Sequence, residues 1–172
     1  MTRRLVCCVL LLIGLPFSSA SQAERLPEYS MKAAFVYNFT LFTDWPALPN
    51  NTLQICTLES DALKQELEQF IENKPHGARL VVTKVSNLNA VKQCQALFLS
   101  EEDKQRIPGI LASLERTPVL TITDVQGLVG KGAIIGMKIE NKRIIFEVDS
   151  VAAKKSGLHL SSKLLNLAKT IY

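Results

Sequence analysis

Short apolar runs of strand type alternate with helical segments through the middle of this 172-residue chain. Amphipathic stretches such as DALKQELEQFIEN, which shows an apolar stripe at helical spacing, separate the runs. Strands that alternate with helices indicate βαβ crossovers, because parallel neighbours need a long connection. The sequence therefore predicts a mainly parallel sheet covered by helices on both faces. The predicted strands are TLQICTL (52–58), ARLVVTKV (78–85), CQALFLS (94–100) and PVLTITD (118–124).

The pattern changes after residue 132. AIIGMKIE and RIIFEVD alternate apolar and polar residues and are separated only by Asn141 and Lys142, which predicts an antiparallel hairpin. Two helical pieces follow, SVAAKK and SSKLLNLAKTI, capped by Ser150 and by Ser161 or Ser162. We predict one α/β domain over residues 24–172. Its sheet is flavodoxin-like, with the parallel strand order 2-1-3-4 plus the C-terminal hairpin.

The segment KAAFVYNFTLFTDWP (32–46) contains five of the eleven aromatic residues of the chain. Its apolar side chains recur at helical spacing, which predicts a helix over residues 28–44 that ends before Pro46. One side of this helix is predicted to enter the core, and the other is a candidate dimer contact. The core side holds Phe35, Phe39 and Phe42, and the candidate dimer side holds Tyr37 and Thr40 to Thr43.

The N-terminus has the order of a secretory signal peptide. Arg3 and Arg4 precede an apolar run of about 13 residues, and small residues lead up to Glu24. This run is shorter than the roughly 20 residues that a membrane-spanning helix needs, which disfavours an uncleaved anchor. The sequence predicts that residues 1–23 are removed and that the protein is exported.

Charge and motif content exclude several classes of function. Without Arg3 and Arg4 the chain has 18 basic and 16 acidic residues, and no basic patch interleaves with aromatics, so nucleic acid is not a predicted partner. No metal-ligating side chain stands at ligand spacing from His76 or His159, and no nucleophile elbow occurs. The glycines of residues 127–137 lead into a hairpin, not a helix, which disfavours a phosphate loop. We therefore predict no catalytic, metal or cofactor site.

Two cysteines remain after residue 23, Cys56 and Cys94. They fall on the first and third predicted strands, which are neighbours in the 2-1-3-4 order and can come within disulfide range. An oxidising compartment favours a disulfide over the alternative of two buried free thiols. Closing a loop of about 38 residues would stabilise the fold by roughly 3–4.5 kcal/mol.

Several motifs together resemble the YfiR family of periplasmic proteins, whose best-known members repress a membrane diguanylate cyclase. The resemblance covers essentially the whole of the predicted mature chain. It implies a non-catalytic regulator, with no cofactor, that binds the periplasmic sensor domain of a YfiN-like cyclase, lowers cyclic di-GMP and so affects biofilm formation. It also implies a homodimer and a YfiB-like, OmpA-like outer-membrane lipoprotein as a second partner. The most specific motifs are EYSMKAAFVYNFTLFTDWP and VAAKKSGLHLSSKLLNLAK.

The resemblance also implies which cysteines form disulfides. It implies Cys56–Cys94 as the first disulfide of the family. The second cysteine pair is expected near residues 129 and 136, where this chain has Val129 and Gly136. Redox control through a second disulfide is therefore not implied. From the residues alone, Gly136 indicates a bulge or a close backbone approach in the hairpin.

The predicted hairpin is the candidate partner surface, because charges alternate with aliphatic residues along it. Ile135, Arg143 and Glu147 are the predicted contributors to cyclase binding, and the alternative is an ordinary solvated strand face. A competing function is small-molecule binding. Its predicted site is the cleft at the carboxyl ends of the strands, near Glu59, Ser100 and Asp124.

Overall fold

The computed structural model of the protein describes residues 25–172 except 73 and 75, with side chains from residue 28 onward. The predicted signal peptide therefore lies outside the described residues. The helices are α1 (Arg25–Leu41), α2 (Asp61–Ile71), α3 (Leu88–Val91), α4 (Ile107–Leu114), α5 (Ser150–Lys155) and α6 (Ser162–Leu167). The strands are β1 (Thr43–Asp44), β2 (Thr52–Thr57), β3 (Arg79–Lys84), β4 (Ala96–Leu99), β5 (Leu120–Thr123), β6 (Ile135–Glu140), β7 (Arg143–Val148), β8 (His159–Leu160) and β9 (Thr170–Ile171).

Seven strands form the main sheet in the order β3-β2-β4-β5-β6-β7-β9. The five strands β2 to β6 all run parallel, and β7 pairs antiparallel with β6 as a hairpin. The order β3-β2-β4-β5 is the predicted 2-1-3-4 arrangement, so the predicted mixed α/β fold is confirmed. A separate two-stranded sheet pairs β1 with β8.

Helices cover the two faces of the sheet unequally. The front face packs against α1, α2, α5 and α6, in a core that includes Ile55, Phe98 and Phe146. The back face packs against α3 and α4 and against the connection between β5 and β6, in a core that includes Cys56 and Leu111. This connection contains no helix, so the back layer thins out toward the hairpin.

Helix α1 anchors the front core, as its aromatic spacing predicts. Phe39 is 1% exposed, and its ring centroid lies 5.0 Å from that of Phe146 in an edge-to-face arrangement. Phe35 contacts the same ring at 6.3 Å. Such pairs contribute about 0.5–1.5 kcal/mol each beyond the apolar area that they bury.

Tyr37, Thr40 and Thr43 on the opposite side of α1 are buried too, so their predicted role as a dimer contact is wrong, whereas Leu41 on that side is 42% exposed. Tyr37 is 5% exposed, and its ring packs edge-to-face against Phe70 of α2 at 5.5 Å. Thr40 is 2% exposed and donates its hydroxyl hydrogen bond to the carbonyl of Tyr37. Helix spacing alone could not show that α2 would cover this second side.

The predicted helix over residues 28–44 ends three residues early. The hydroxyl of Thr43 donates to the carbonyl of Phe39 at 2.8 Å, and the chain then becomes strand β1. The backbone N–H of Ser161 donates to the carbonyl of Phe42 at 2.9 Å, which ties the end of α1 to the chain beside β8. Pairing with a distant segment therefore ends the helix before Pro46 does.

The predicted helix through residue 171 is also shorter in the structure. Ala168, which follows α6, has extended backbone angles. The N–H groups of Lys169 and Tyr172 then donate to the carbonyls of Phe146 and Val148, both at 2.8 Å. Residues 170–171 thereby add an edge strand, β9, to the hairpin.

The structure contains the predicted disulfide between Cys56 and Cys94, with a Cα–Cα distance of 6.0 Å. Both residues are at most 1% exposed and belong to the back-face core. The bridge joins β2 to the chain two residues before β4, and the two cysteines are 38 positions apart. It is therefore a structural link inside the parallel part of the sheet.

Candidate functional site

The register of the hairpin decides which of its side chains reach the surface. Asn141 and Lys142 form a two-residue turn and both have positive φ, 51° and 60°. This turn pairs Glu140 with Arg143 and therefore Ile135 with Val148. Side chains alternate between the faces from there, so the odd-numbered residues of β7 lie on the back of the sheet.

Ile135 lies on the other, front face and is 0% exposed. It packs in the front core, so its predicted contact with a partner is wrong: the structure places it away from Arg143 and Glu147. The two-residue turn was visible in the sequence and could have predicted this pairing. The aliphatic residue that does share the face of Arg143 and Glu147 is Ile145, which sequence reasoning missed.

We call Lys138, Glu140, Arg143, Ile145 and Glu147 the hairpin back face. None of these five residues belongs to either core, since α3 and α4 end short of the hairpin. Glu140 is exposed and half-buried Ile145 lies between two charged neighbours of the same face. The face thus offers one aliphatic side chain among charges of both signs.

Two contacts from the residues on either side of β9 hold these charges in place. Lys169 Nζ lies 3.1 Å from Glu140 Oε2, and this hydrogen bond lowers the pKa of Glu140. The hydroxyl of Tyr172 donates to Glu147 Oε2 at 3.0 Å, which raises the pKa of Tyr172. Arg143 has no ion-pair partner among the residues that the structure describes.

The loop after β5 borders this face at Gly136. A Cβ atom added to Gly136 would lie 2.6 Å from Val129 Cγ2, far inside van der Waals contact. Glycine is therefore required for Val129 to lie against the strand, and the expected close approach at Gly136 is present. The same ideal Cβ would be 3.9 Å from the Cβ of Val129.

The predicted strand-end cleft contains a buried ion pair. Lys32 Nζ lies 2.7 Å from Asp124 Oδ2 and 2.5 Å from Glu28 Oε1, and the Lys32 side chain is only 8% exposed. Burial lowers the pKa of Lys32, but its hydrogen bonds to the two carboxylates outweigh burial and raise the pKa overall. The cleft has a volume of about 250 Å³, and Ser100 and Asp124 also line it.

Glu59, the third residue predicted for this cleft, lies elsewhere. Its carboxylate accepts a hydrogen bond from Arg106 Nη1 at 2.8 Å, and Arg106 Nη2 donates to the carbonyl of Ser86. Arg106 thereby ties together the chain segments that follow β2 and β3. A small-molecule site in the remaining cleft stays a prediction.

Two further observations concern the described residues alone. No group of three or more His, Cys, Asp or Glu side chains among them is arranged to hold a metal ion. Within the same residues, none of the helices has the length and apolar character needed to cross a membrane.

Sequence comparison assigns the family. The YfiR/HmsC-like family, DUF4154, matches residues 29–169, from the second turn of α1 to the residue before β9. The chain belongs to this family. The match to the YfiR/HmsC-like family includes the hairpin, the disulfide and the strand-end cleft in one continuous stretch.

Two solved structures resemble this YfiR/HmsC-like fold. A conserved domain protein from Vibrio cholerae superposes with a TM-score of 0.55 at 13% sequence identity, over 81% of this chain and 60% of that one. The ABC domain of a protein from Streptococcus pneumonia, in complex with L-Trp, gives a TM-score of 0.52 at 12% identity, over 73% and 57%. This chain therefore spans less than two thirds of either protein, and the likeness concerns the fold alone.

Proposed function

We propose that this YfiR/HmsC-like protein is a non-catalytic periplasmic regulator. It binds the periplasmic sensor domain of an inner-membrane diguanylate cyclase and lowers the synthesis of cyclic di-GMP. The observation that carries the proposal is the family match over residues 29–169. Repression requires that the protein bind the inactive state of the cyclase more tightly than the active one, since only differential affinity shifts such an equilibrium.

The hairpin back face is the proposed contact with the cyclase. Arg143 supplies an exposed guanidinium without an ion-pair partner among the described residues, and Glu147 and Ile145 lie on the same face. A small interface typically combines an apolar contact with a polar rim in this way, and arginine is enriched at such interfaces. Helices do not cover the face in the described part of the chain, so a partner can reach it directly.

The proposal includes the remaining features that the family resemblance implies. The chain is exported, acts as a homodimer, and is sequestered by a YfiB-like outer-membrane lipoprotein when repression is lifted.

A pulldown from membranes of the source cell tests the central claim. The bait is the protein from residue 24 onward, and cyclic di-GMP is measured in the same strain after deletion of the gene. We expect capture of a membrane diguanylate cyclase and a rise in cyclic di-GMP. If no cyclase is captured and the cyclic di-GMP level does not change, the proposed function is wrong.

The proposed contact face is tested by the triple variant R143A/I145A/E147A. We expect it to lose cyclase capture while keeping the unfolding transition of the wild type, because the three side chains lie outside both cores. The control is D61A/K84A, which removes an exposed ion pair at the opposite edge of the sheet. Equal capture by both variants would exclude the hairpin back face and leave the regulatory function to another surface.

A further inference from the structure

A cavity of about 450 Å³ lies at the amino end of β5, at the opposite end of the strands from the strand-end cleft. We call it the basal cavity. It lies between α4, the chain around residues 130–132 and the short helix α5. Its volume falls in the range of about 300–1,000 Å³ that is typical of small-molecule sites.

The wall of the basal cavity is apolar and rigid. Leu111, Leu114, Val119 and Ile134 line it and are at most 6% exposed, so their other sides are fixed in the cores. Val151, on the first turn of α5, lines it as well and is 51% exposed. An apolar ligand body would therefore cover a β-branched side chain that otherwise faces water.

Three cations surround this apolar wall, one from each bordering segment. They are Arg116 after α4, Lys131 in the loop and Lys155 at the end of α5. None of them has an ion-pair partner among the described residues, whereas Lys32 and Arg106 at the opposite end of the strands are both paired. Unpaired cations beside an apolar wall favour a ligand that is both anionic and apolar.

The acidic side chains of the cavity do not cancel these charges. Asp149 is 9% exposed, and its Oδ1 accepts the backbone N–H of Ala152 at 2.7 Å as the cap of α5. Glu115 is the one other carboxylate that lines the basal cavity, and it is exposed. The lining residues therefore leave a positive balance for a ligand to neutralise.

The backbone is shaped to form the cavity. Gly132 has φ of 109°, and a Cβ there would lie 3.3 Å from Leu111 Cβ, so glycine lets the loop pass close to α4. Arg116 has φ of 63°, a left-handed conformation that is uncommon for a residue with its side chain. A left-handed residue just past a helix is a common way for the helix to end, and here it follows α4 beside the cavity.

We propose that the basal cavity binds a small amphipathic organic anion. The apolar body of the ligand packs against Leu111, Leu114 and Val151, and its carboxylate, sulfonate or phosphate group faces Arg116, Lys131 and Lys155. Apolar burial supplies the affinity and the cations fix the orientation. The site does not involve the hairpin back face, so a test of ligand binding does not depend on whether the protein binds a cyclase.

Titration with 8-anilinonaphthalene-1-sulfonate, a fluorescent aromatic sulfonate, tests the proposal on the protein from residue 24 onward. We expect saturable one-to-one binding that the triple variant R116Q/K131Q/K155Q weakens by about tenfold, since three partly screened charge contacts are lost. The uncharged analogue N-phenyl-1-naphthylamine has the same ring system without the sulfonate. Its affinity should not change in the triple variant, because only the anionic group needs the cations.

The control variant K92Q/K142Q/K163Q removes the same net charge from exposed positions outside the cavity. It should bind the sulfonate like the wild type. V151D places a carboxylate on the wall and should abolish binding, while an acidic residue in the first turn of α5 is favourable for the helix. Urea unfolding of each variant verifies that it is folded.

Three outcomes would overturn the proposal. The first is the absence of saturable binding to the wild type. The second is equal weakening by the triple variant and its charge-matched control. The third is binding that weakens as the protein concentration rises, which would show that a second copy of the chain covers the cavity.

Discussion

The parallel part of the sheet and the hairpin part are held together by different interactions. In the parallel part, a disulfide joins β2 to the start of β4, and the buried Lys32–Asp124 pair ties α1 to the end of β5. In the hairpin part, the ion pairs of Glu140 with Lys138 and Lys169 are exposed, and Val129 packs against Gly136. Exposed pairs contribute little, whereas breaking a buried pair is costly.

This difference teaches where the molecule can adapt. The disulfide and the buried ion pair hold the parallel part of the sheet in one rigid arrangement. The hairpin part depends on packing and on side chains that water already reaches, so a partner can replace those contacts at low cost. The proposed contact face lies in this second part, and the following predictions test the comparison.

Removing the disulfide should produce the largest loss of stability. The variant C56A/C94A is expected to lower the free energy of unfolding by about 4 kcal/mol, because a 38-residue loop is no longer closed in the unfolded chain. Urea unfolding measures the change, and reduction of the wild type provides the control. A loss below about 1 kcal/mol would show that the parallel part does not depend on its cross-link.

Breaking the buried ion pair between Lys32 and Asp124 should produce the second largest loss of stability. K32M leaves Asp124 without its cationic partner and is expected to cost about 3 kcal/mol at neutral pH. The control K32M/D124L removes both charges of this pair and should recover most of the loss, because the remaining partner of Lys32, Glu28, has a side chain that is 39% exposed. Equal losses in the two variants would assign the effect to packing.

The pH dependence of K32M gives an independent check. The pKa of folded Lys32 is raised above its usual value of 10.5, so the stabilisation from its charge is fully present below that pH and disappears as the pH rises through the folded pKa. The difference between wild type and K32M should therefore be constant from neutral pH to about pH 10 and shrink above it. Urea unfolding at each pH measures this difference, and one that persists at higher pH would contradict the ion pair as its cause.

A second cross-link should make the hairpin part resemble the parallel part. In V129C/G136C the two Cβ atoms would lie about 3.9 Å apart, within the range of disulfides. We expect spontaneous formation of the bond and a gain of about 2 kcal/mol, smaller than for Cys56–Cys94 because the loop is short. Non-reducing mass spectrometry detects the bond. Failure of the thiols to pair would contradict the close approach of loop and strand.

Adding a methyl group at Gly136 should lower the free energy of unfolding, whereas the cross-link should raise it. G136A puts a Cβ against Val129 Cγ2 and is expected to cost about 1–2 kcal/mol through overpacking. V129A/G136A removes the opposing methyl group and should recover most of this cost. A full double-mutant cycle measures the coupling, and independent effects of the two changes would rule out the contact.

The exposed pair of Glu140 with Lys169 should have the smallest effect. Hydrogen bonding from Lys169 lowers the pKa of Glu140, so its contribution is present above the usual value of 4.5 and is lost as the pH falls through the lowered pKa. E140Q should leave the urea midpoint nearly unchanged at neutral pH, in low salt and in high salt alike. A large, salt-sensitive shift would contradict the proposed difference between the two parts.

The sequence predicts those parts of the fold that depend on local pattern. Alternating strand and helix segments gave the order of β2 to β5, and the Asn141–Lys142 turn gave the hairpin. The disulfide followed from strand adjacency. The two-residue strands β1, β8 and β9 escaped prediction because only pairing with distant segments makes them strands.

The candidate sites, too, depend on contacts between distant segments that the sequence pattern does not show. The burial of Tyr37 depends on α2, and the partial exposure of Ile145 depends on where the back helices end. The basal cavity brings together Arg116, Lys131 and Lys155 from three separate segments, so no sequence window contains it. The position of Ile135 differs from these cases, because its pairing follows directly from the length of the turn.

The contact between α1 and β7 has a consequence for how the chain reaches its fold. Phe39 packs on Phe146, a residue that follows it by more than a hundred positions, so the first helix cannot complete its burial until the last third of the chain is present. Contacts of such sequence separation slow folding because a large loop must close first. Until then the aromatic side chains of α1 can contact apolar surfaces of other chains. In a chain that ends before the hairpin, these side chains would stay exposed. Aggregation of unfinished chains should therefore begin at this helix.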